Sequence, residues 1–220
     1  MIRSLVVTSL ATFLLAPAAW PVPAAAQAPT EWDGLVQRPS RAVDLLFVRP
    51  DASLAGYKRV RLAPLQVSFD RNWQPNRASA ARPLTAADFD RIKRTLATEF
   101  ARVAESELAR GGYTLVKESG EDVLDVHPAV IDLFIAAPDR RVAGRMRTFT
   151  ANPGRMTLVA ELRDSETGQI LARVVDRRNA PSSGVFQLTT SVTNIGAARS
   201  IIARWASALR TALDAANNRS

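Results

Sequence analysis

The chain has no cysteine and one histidine, His127, among its 220 residues. The first absence excludes a disulfide framework, a thiolate metal site, a thiol nucleophile and a lipidated cysteine. The second leaves a His-based relay or a His-rich metal site almost without members. Lysine is scarce as well: Lys58, Lys93 and Lys117 stand beside 26 arginines. No apolar run approaches the ~20 residues that a membrane-spanning helix needs. What is present has the balance of a foldable chain, 47% apolar and 23% charged, with enough length for one domain and a targeting segment.

Residues Met1 to Ala26 predict a secretory signal peptide. Arg3 supplies the positive start, Leu5 to Leu15 the apolar stretch, and Pro17, Pro21 and Pro23 the break. Ala24-Ala25-Ala26 gives the small-x-small pattern before a cut after Ala26. The processed chain would carry 28 basic against 21 acidic residues, net +7. It is expected in the periplasm, neither lipid-anchored nor membrane-spanning. Such a basic, Arg-rich chain raises the question of nucleic acid. Export argues against that partner and points to anionic groups of the envelope, which guanidinium grips bidentately.

Residues 27–44 read as a lead or tether in which Trp32 and Leu35 dock, residues 45–215 as one domain, and 216–220 as a tail that frays. Leu45 to Val48 is a brief edge strand. Lys58 to Phe69 is the first clear strand, interrupted at Pro64, which argues for an edge or a bulge. Thr85 caps a helix to Arg110, with Asp88 completing a capping box and Gly111-Gly112 stopping it. Phe89, Ile92, Leu96, Phe100, Val103 and Leu108 mark its buried face. Strands follow over Tyr113–Lys117 and Val123–Ala136, the second expected to run antiparallel to the first, with an irregularity near His127-Pro128. Arg155–Arg163 and Gln169–Asp176 form a hairpin, in which Leu162 would meet Ile170 and Glu161 would lie diagonal to Arg173. Ile195 to Ala215 is the second helix, burying Ala198, Ile202, Trp205, Leu209 and Leu213. The fold class is α/β of the α+β kind: a mixed, mostly antiparallel sheet with two long helices on one face, in the order β-α-β-β-β-β-α.

The strings LAGYKRVRLAPLQVSFDRNWQP, GYTLV, VLDVHPAVIDL, AELRDSETGQIL and WASALRTALD resemble, in that order, the domain of unknown function 3313 family of bacterial envelope proteins. The resemblance spans about Trp32 to Ala215. Many members look like lipoproteins, whereas this chain lacks the lipobox cysteine. The resemblance implies a fold and a compartment, and no catalytic residues.

No cofactor or metal is expected. Asp122, Asp125 and Asp132 flank His127 and make a weak ligand set; as paired carboxylates they leave a hydrolase open as the alternative. Ser79, Ser182 and Ser183 stand in no nucleophile-elbow pattern. Two loops gather cations. Residues 70–84 interleave Arg71, Trp73, Arg77 and Arg82, as a linker or a binding patch. Residues 138–154 carry Arg140, Arg141, Arg145 and Arg147, as a solvated loop, a binding patch or, over 145–150, a strand. With Arg177 and Arg178 these four are expected to meet at one end of the sheet, opposite the Trp73 loop. The reading is a non-catalytic periplasmic accessory module that contacts an anionic envelope component or a partner protein, of open oligomeric state.

Overall fold

The computed structural model describes residues 31–73, 84–135, 148–150, 154–179, 187–189 and 191–219; the expected signal peptide and its cleavage site lie outside them. The architecture is mixed α+β. The strands are β1 (Glu31–Trp32), β2 (Leu35–Arg38), β3 (Leu45–Val48), β4 (Arg59–Leu62), β5 (Gln66–Phe69), β6 (Thr114–Leu115), β7 (Val123–Ile135), β8 (Thr148–Thr150), β9 (Gly154–Asp164), β10 (Ile170–Asn179) and β11 (Gln187–Thr189). The helices are α1 (Ala86–Arg110) and α2 (Ser191–Ala216). Eight strands line up as β1-β2-β3-β10-β9-β7-β4-β6, with β5 beside β7 beyond the end of β4. β8 and β11 form a separate two-stranded sheet. The strand reading of residues 145–150 thus holds at its end.

α1 forms where its cap chemistry places it. The Thr85 hydroxyl accepts from the Asp88 amide, and the Asp88 carboxylate accepts from the Thr85 amide, so two orphan donors of the first turn are satisfied. Beyond Arg110, Gly112 takes φ +75°, a left-handed conformation open to glycine. Leu96, Phe100, Val103 and Leu108 are buried on the α1 face that meets the sheet. Ile202, Trp205 and Leu213 do the same on α2. One cluster joins Phe100 and Trp205 to Val130, Met156 and Leu158. A second joins Leu108 and Leu213 to Val60, Leu124 and Leu162. Both helices therefore cover one face of the sheet.

Pro64 does stand at a bulge. Leu62 pairs with Val126 and Gln66 with Ala129, so four residues on one strand oppose three on β7. This gap also explains Pro128, which sits in regular register opposite Ala160. The Val126 carbonyl accepts from Ala63, so alternate β7 residues, Pro128 included, face the β4–β5 side. There the ladder is interrupted, and no N–H is needed from residue 128. The irregularity expected at His127-Pro128 lies instead between Ile131 and Phe134, where Asp132 has φ +53°. Opposite this bulge, β9 starts at Gly154, whose added Cβ would lie 2.4 Å from the Phe134 carbonyl oxygen.

Two further expectations are corrected. β7 runs parallel to β4 and β5, because β6 and β7 do not pair with each other but flank β4 on opposite sides. The connection crosses below β4, held by Lys58 and Arg59 amides on the Asp122 carbonyl and by the Arg59–Asp122 ion pair. The hairpin register is shifted: Ala172 opposes Leu162 and Arg173 directly opposes Glu161, after an irregularity between Ile170 and Ala172. The turn sets this, with Asp164 Oδ1 accepting from the amides of Glu166 and Thr167 and Gly168 at φ +70°. A shift of an even number of residues keeps the apolar face inward.

The lead supplies β1 and β2 to the sheet edge, and Leu35 is fully buried there. The tail is tied down as far as Arg219. The Asn217 side chain donates to the Leu213 carbonyl and accepts from the Gly56 amide, each at 2.9 Å. Arg219 donates to the Gly111 carbonyl at 2.9 Å and lies 4.8 Å over the Tyr113 ring.

Candidate functional site

Strand direction decides where the Arg-rich segments leave the sheet. β5 and β7 both end, β9 begins and β10 ends at one edge, so Phe69, Ile135, Gly154 and Asn179 share it. Both segments start from this edge. The expectation that they occupy opposite ends is overturned, since it rested on an antiparallel β7. Arg77, Arg82, Arg140, Arg141, Arg145 and Arg147 lie outside the described residues.

The described members play different parts. Arg71 and Arg177 are exposed and have no ion pair among the described residues. Arg178 is committed: its guanidinium donates to Asp176 at 2.6 and 2.9 Å and to the Ala42 carbonyl at 3.0 Å. Trp73 is buried. It stacks on Phe69 with centroids 4.7 Å apart, meets Phe89 edge-on at 5.8 Å, and donates from its indole to the Ile135 carbonyl at 2.9 Å. It closes the core under the edge and offers no free aromatic face for a ligand.

Sequence reading missed Arg155 here. Its guanidinium pairs with Asp70 and lies 4.5 Å from the Phe134 ring centre, while its buried Nε has no partner among the described residues. The Asn72 amide and then Arg155 hold the Asp70 carboxyl below its usual range. Arg155 and Glu99 both line a cleft of about 100 Å³. The signal that distinguishes Arg155 from its many neighbours is a pairing across 85 residues, which spacing does not reveal.

The carboxylates considered for acid–base work are each held by an arginine or kept apart. Asp122 pairs with Arg59, which lowers its pKa, and Asp125 pairs bidentately with Arg61. His127 Nε2 is 3.7 Å from Asp125 and half-exposed. Across the helix-free sheet face, Glu161 binds both Arg163 and Arg173, and Arg173 reaches Asp33 at 3.0 Å. The Trp32 ring lies 4.0 Å from that guanidinium. Such alternation neutralises charge within the face. No group of three or more His, Asp or Glu among the described residues is arranged to hold a metal ion.

No helix among the described residues is long and apolar enough to cross a membrane. This α+β chain belongs to the protein family of unknown function DUF3313, whose model matches residues 26–209. No curated protein matches the sequence. Among solved structures, the fold is similar to a PelC dodecamer from Paraburkholderia phytofirmans, at 15% identity and TM-score 0.36, covering 74% of this chain and 96% of that one. It is also similar to a minor lipoprotein from Acinetobacter baumannii, at 12% identity and TM-score 0.34, covering 74% of this chain and 94% of that one.

Proposed function

We propose that this protein is an exported, non-catalytic module of the bacterial envelope that binds an anionic envelope component through the Phe69–Ile135–Asn179 edge of its sheet. The observation that carries this reading is the shared edge. Exposed Arg71 and Arg177 stand there, and the segments bearing Arg77, Arg82, Arg140, Arg141, Arg145 and Arg147 begin there. Guanidinium groups converging on one edge repel each other and gain from phosphate or carboxylate partners by charge-assisted, bidentate contacts. The export reading rests on the Met1–Ala26 pattern. Asp122 is committed to Arg59 and Asp125 to Arg61, so neither carboxylate is free to exchange a proton with a substrate, which speaks against the hydrolase alternative.

The test is co-sedimentation with anionic and neutral vesicles and with purified cell wall, at low and high salt. Binding to an anionic surface should fall steeply with salt, since exposed charges are screened within ~8 Å at physiological ionic strength. Replacing Arg71, Arg140, Arg141, Arg145, Arg147 and Arg177 with Ser should remove binding and leave the thermal midpoint nearly unchanged. Equal binding by wild type and variant, or none at low salt, would defeat the reading.

A further inference from the structure

A second feature lies between α2 and the β3–β10–β9 part of the sheet. A partly open cavity of about 220 Å³ is lined there almost wholly by apolar side chains. Its origin is visible in the sequence of α2. Trp205 and Leu209 reach the sheet, but Ala208 and Ala212 are too short to do so, and Ala160 and Ala172 face them across the gap. Protein interiors are normally filled to crystal-like density. A smaller apolar cavity, about 150 Å³, is known to stay dry and admit a hydrocarbon.

The shape narrows the ligand class. The lining runs from Trp205 to Ala212 on α2, roughly 10 Å along the axis. It runs from Leu158 to Leu162 on β9, roughly 13 Å. A volume of about 220 Å³ extended along that lining makes the cavity an elongated slot rather than a round pocket. Water has little to bind there. The Trp205 indole N–H is given to Asp176, while the Ser40 and Ser53 hydroxyl oxygens accept backbone amides of their own turns. A peptide would bring backbone N–H and C=O groups that this wall cannot satisfy. A polymethylene chain brings none.

Charge marks one mouth of the slot. Ser40, Ala42 and Val43 line the end near Trp205. Arg41 lies between the first two, and Arg204 lies one turn before Ala208 on α2. Both are exposed and have no ion pair among the described residues. With Arg178 they set three guanidinium groups against Asp44 and Asp176 at this end. We propose that the slot between α2 and the β3–β10–β9 sheet binds the aliphatic tail of a single-chain anionic amphiphile, with its head group at Arg41 and Arg204. The mouth lies beside Arg178 at the Arg-rich sheet edge, but the slot-filling variants below leave the arginines of that edge unchanged, so the two readings can fail separately.

Calorimetry of the full chain with sodium decanoate below its micellar concentration, and with decan-1-ol, tests this. Decanoate should bind saturably at one per chain, and more tightly than decanol. Ala208→Phe fills the slot and should abolish binding. Ala212→Leu, a milder filling, should weaken it at least tenfold while the thermal midpoint holds or rises; it decides the matter if Ala208→Phe does not fold. Arg41→Ser with Arg204→Ser should bring decanoate down to the decanol level. Absence of saturable binding, undiminished binding in a folded slot-filled variant, or equal binding of decanoate and decanol by wild type would each overturn the proposal.

Discussion

The Trp205 indole donates a 2.6 Å hydrogen bond to Asp176, a carboxylate with no exposed surface. The same carboxylate accepts from the Asp44 amide at 3.0 Å and from the Arg178 guanidinium. One side chain of β10 thus fixes α2, the approach to β3 and a cation at the sheet edge. Burying a carboxylate is costly unless it is paired and hydrogen-bonded, and here it is both. Trp205→Ala should cost about 3–5 kcal/mol through lost packing and the cavity left behind. Trp205→Phe keeps most of the packing and removes the donor, so its cost should be about 1.5–3 kcal/mol. Urea denaturation of the two variants measures both. A Phe variant as stable as wild type would mean that the hydrogen bond contributes nothing.

The burial of Trp205 was legible from α2 spacing, whereas its hydrogen bond to Asp176 was not. Helical periodicity reports which face is apolar and says nothing about a polar atom at the edge of a ring. The same limit recurs elsewhere. The Thr85–Asp88 cap could be read because it is local in sequence. The parallel direction of β7 could not, because β6 contributes only two residues and the turn before β7 looks like a hairpin connection. The hairpin faces were legible and its register was not, since the bulge after Ile170 follows from the Asp164 turn. Ala208 and Ala212 carry no signal in the helical pattern, and only the fold shows the gap they leave.

α1 and α2 are linked by a carboxylate with a depressed pKa. Glu99 accepts from Arg199 at 2.7 and 2.8 Å and from Arg102 at 2.9 and 3.1 Å, which lowers its pKa from 4.5 to about 2. A folded-state value below the unfolded one stabilises the fold above the unfolded pKa. That stabilisation is present above pH 4.5 and is lost as pH falls from 4.5 toward about 2. Both arginines are about half-exposed, so solvent screening limits the effect to about 1 kcal/mol. Thermal midpoints measured across this window should fall less steeply in Glu99→Gln than in wild type. Parallel curves would remove Glu99 from the acid response.

Arg173 holds the β1–β2 edge. It is buried, binds Glu161 at 2.7 Å and Asp33 at 3.0 Å, and lies 4.0 Å from the Trp32 ring centre. Glu161 retains Arg163 when Arg173 is lost, but Asp33 and Trp32 lose this contact. Arg173→Met should therefore cost about 2 kcal/mol. It should also raise hydrogen exchange in residues 31–38 more than in β9 or β10. Uniform exchange changes across the sheet would show that Arg173 serves general stability rather than docking of this edge.

Trp73 separates structure from binding at the Arg-rich edge. Its indole is enclosed by Phe69 and Phe89 and donates to the Ile135 carbonyl, so its ring is committed to the core. Trp73→Ala should cost about 3–5 kcal/mol, as large aromatic truncations do. Trp73→Phe should retain the stacking and lose one hydrogen bond, at about 1 kcal/mol. If the arginines bind the anion and Trp73 only supports the edge, Trp73→Phe leaves salt-sensitive vesicle association unchanged. A Trp73→Phe variant that keeps its thermal midpoint within a few degrees yet loses association would instead make the indole a direct contact, which its enclosure by Phe69 and Phe89 argues against.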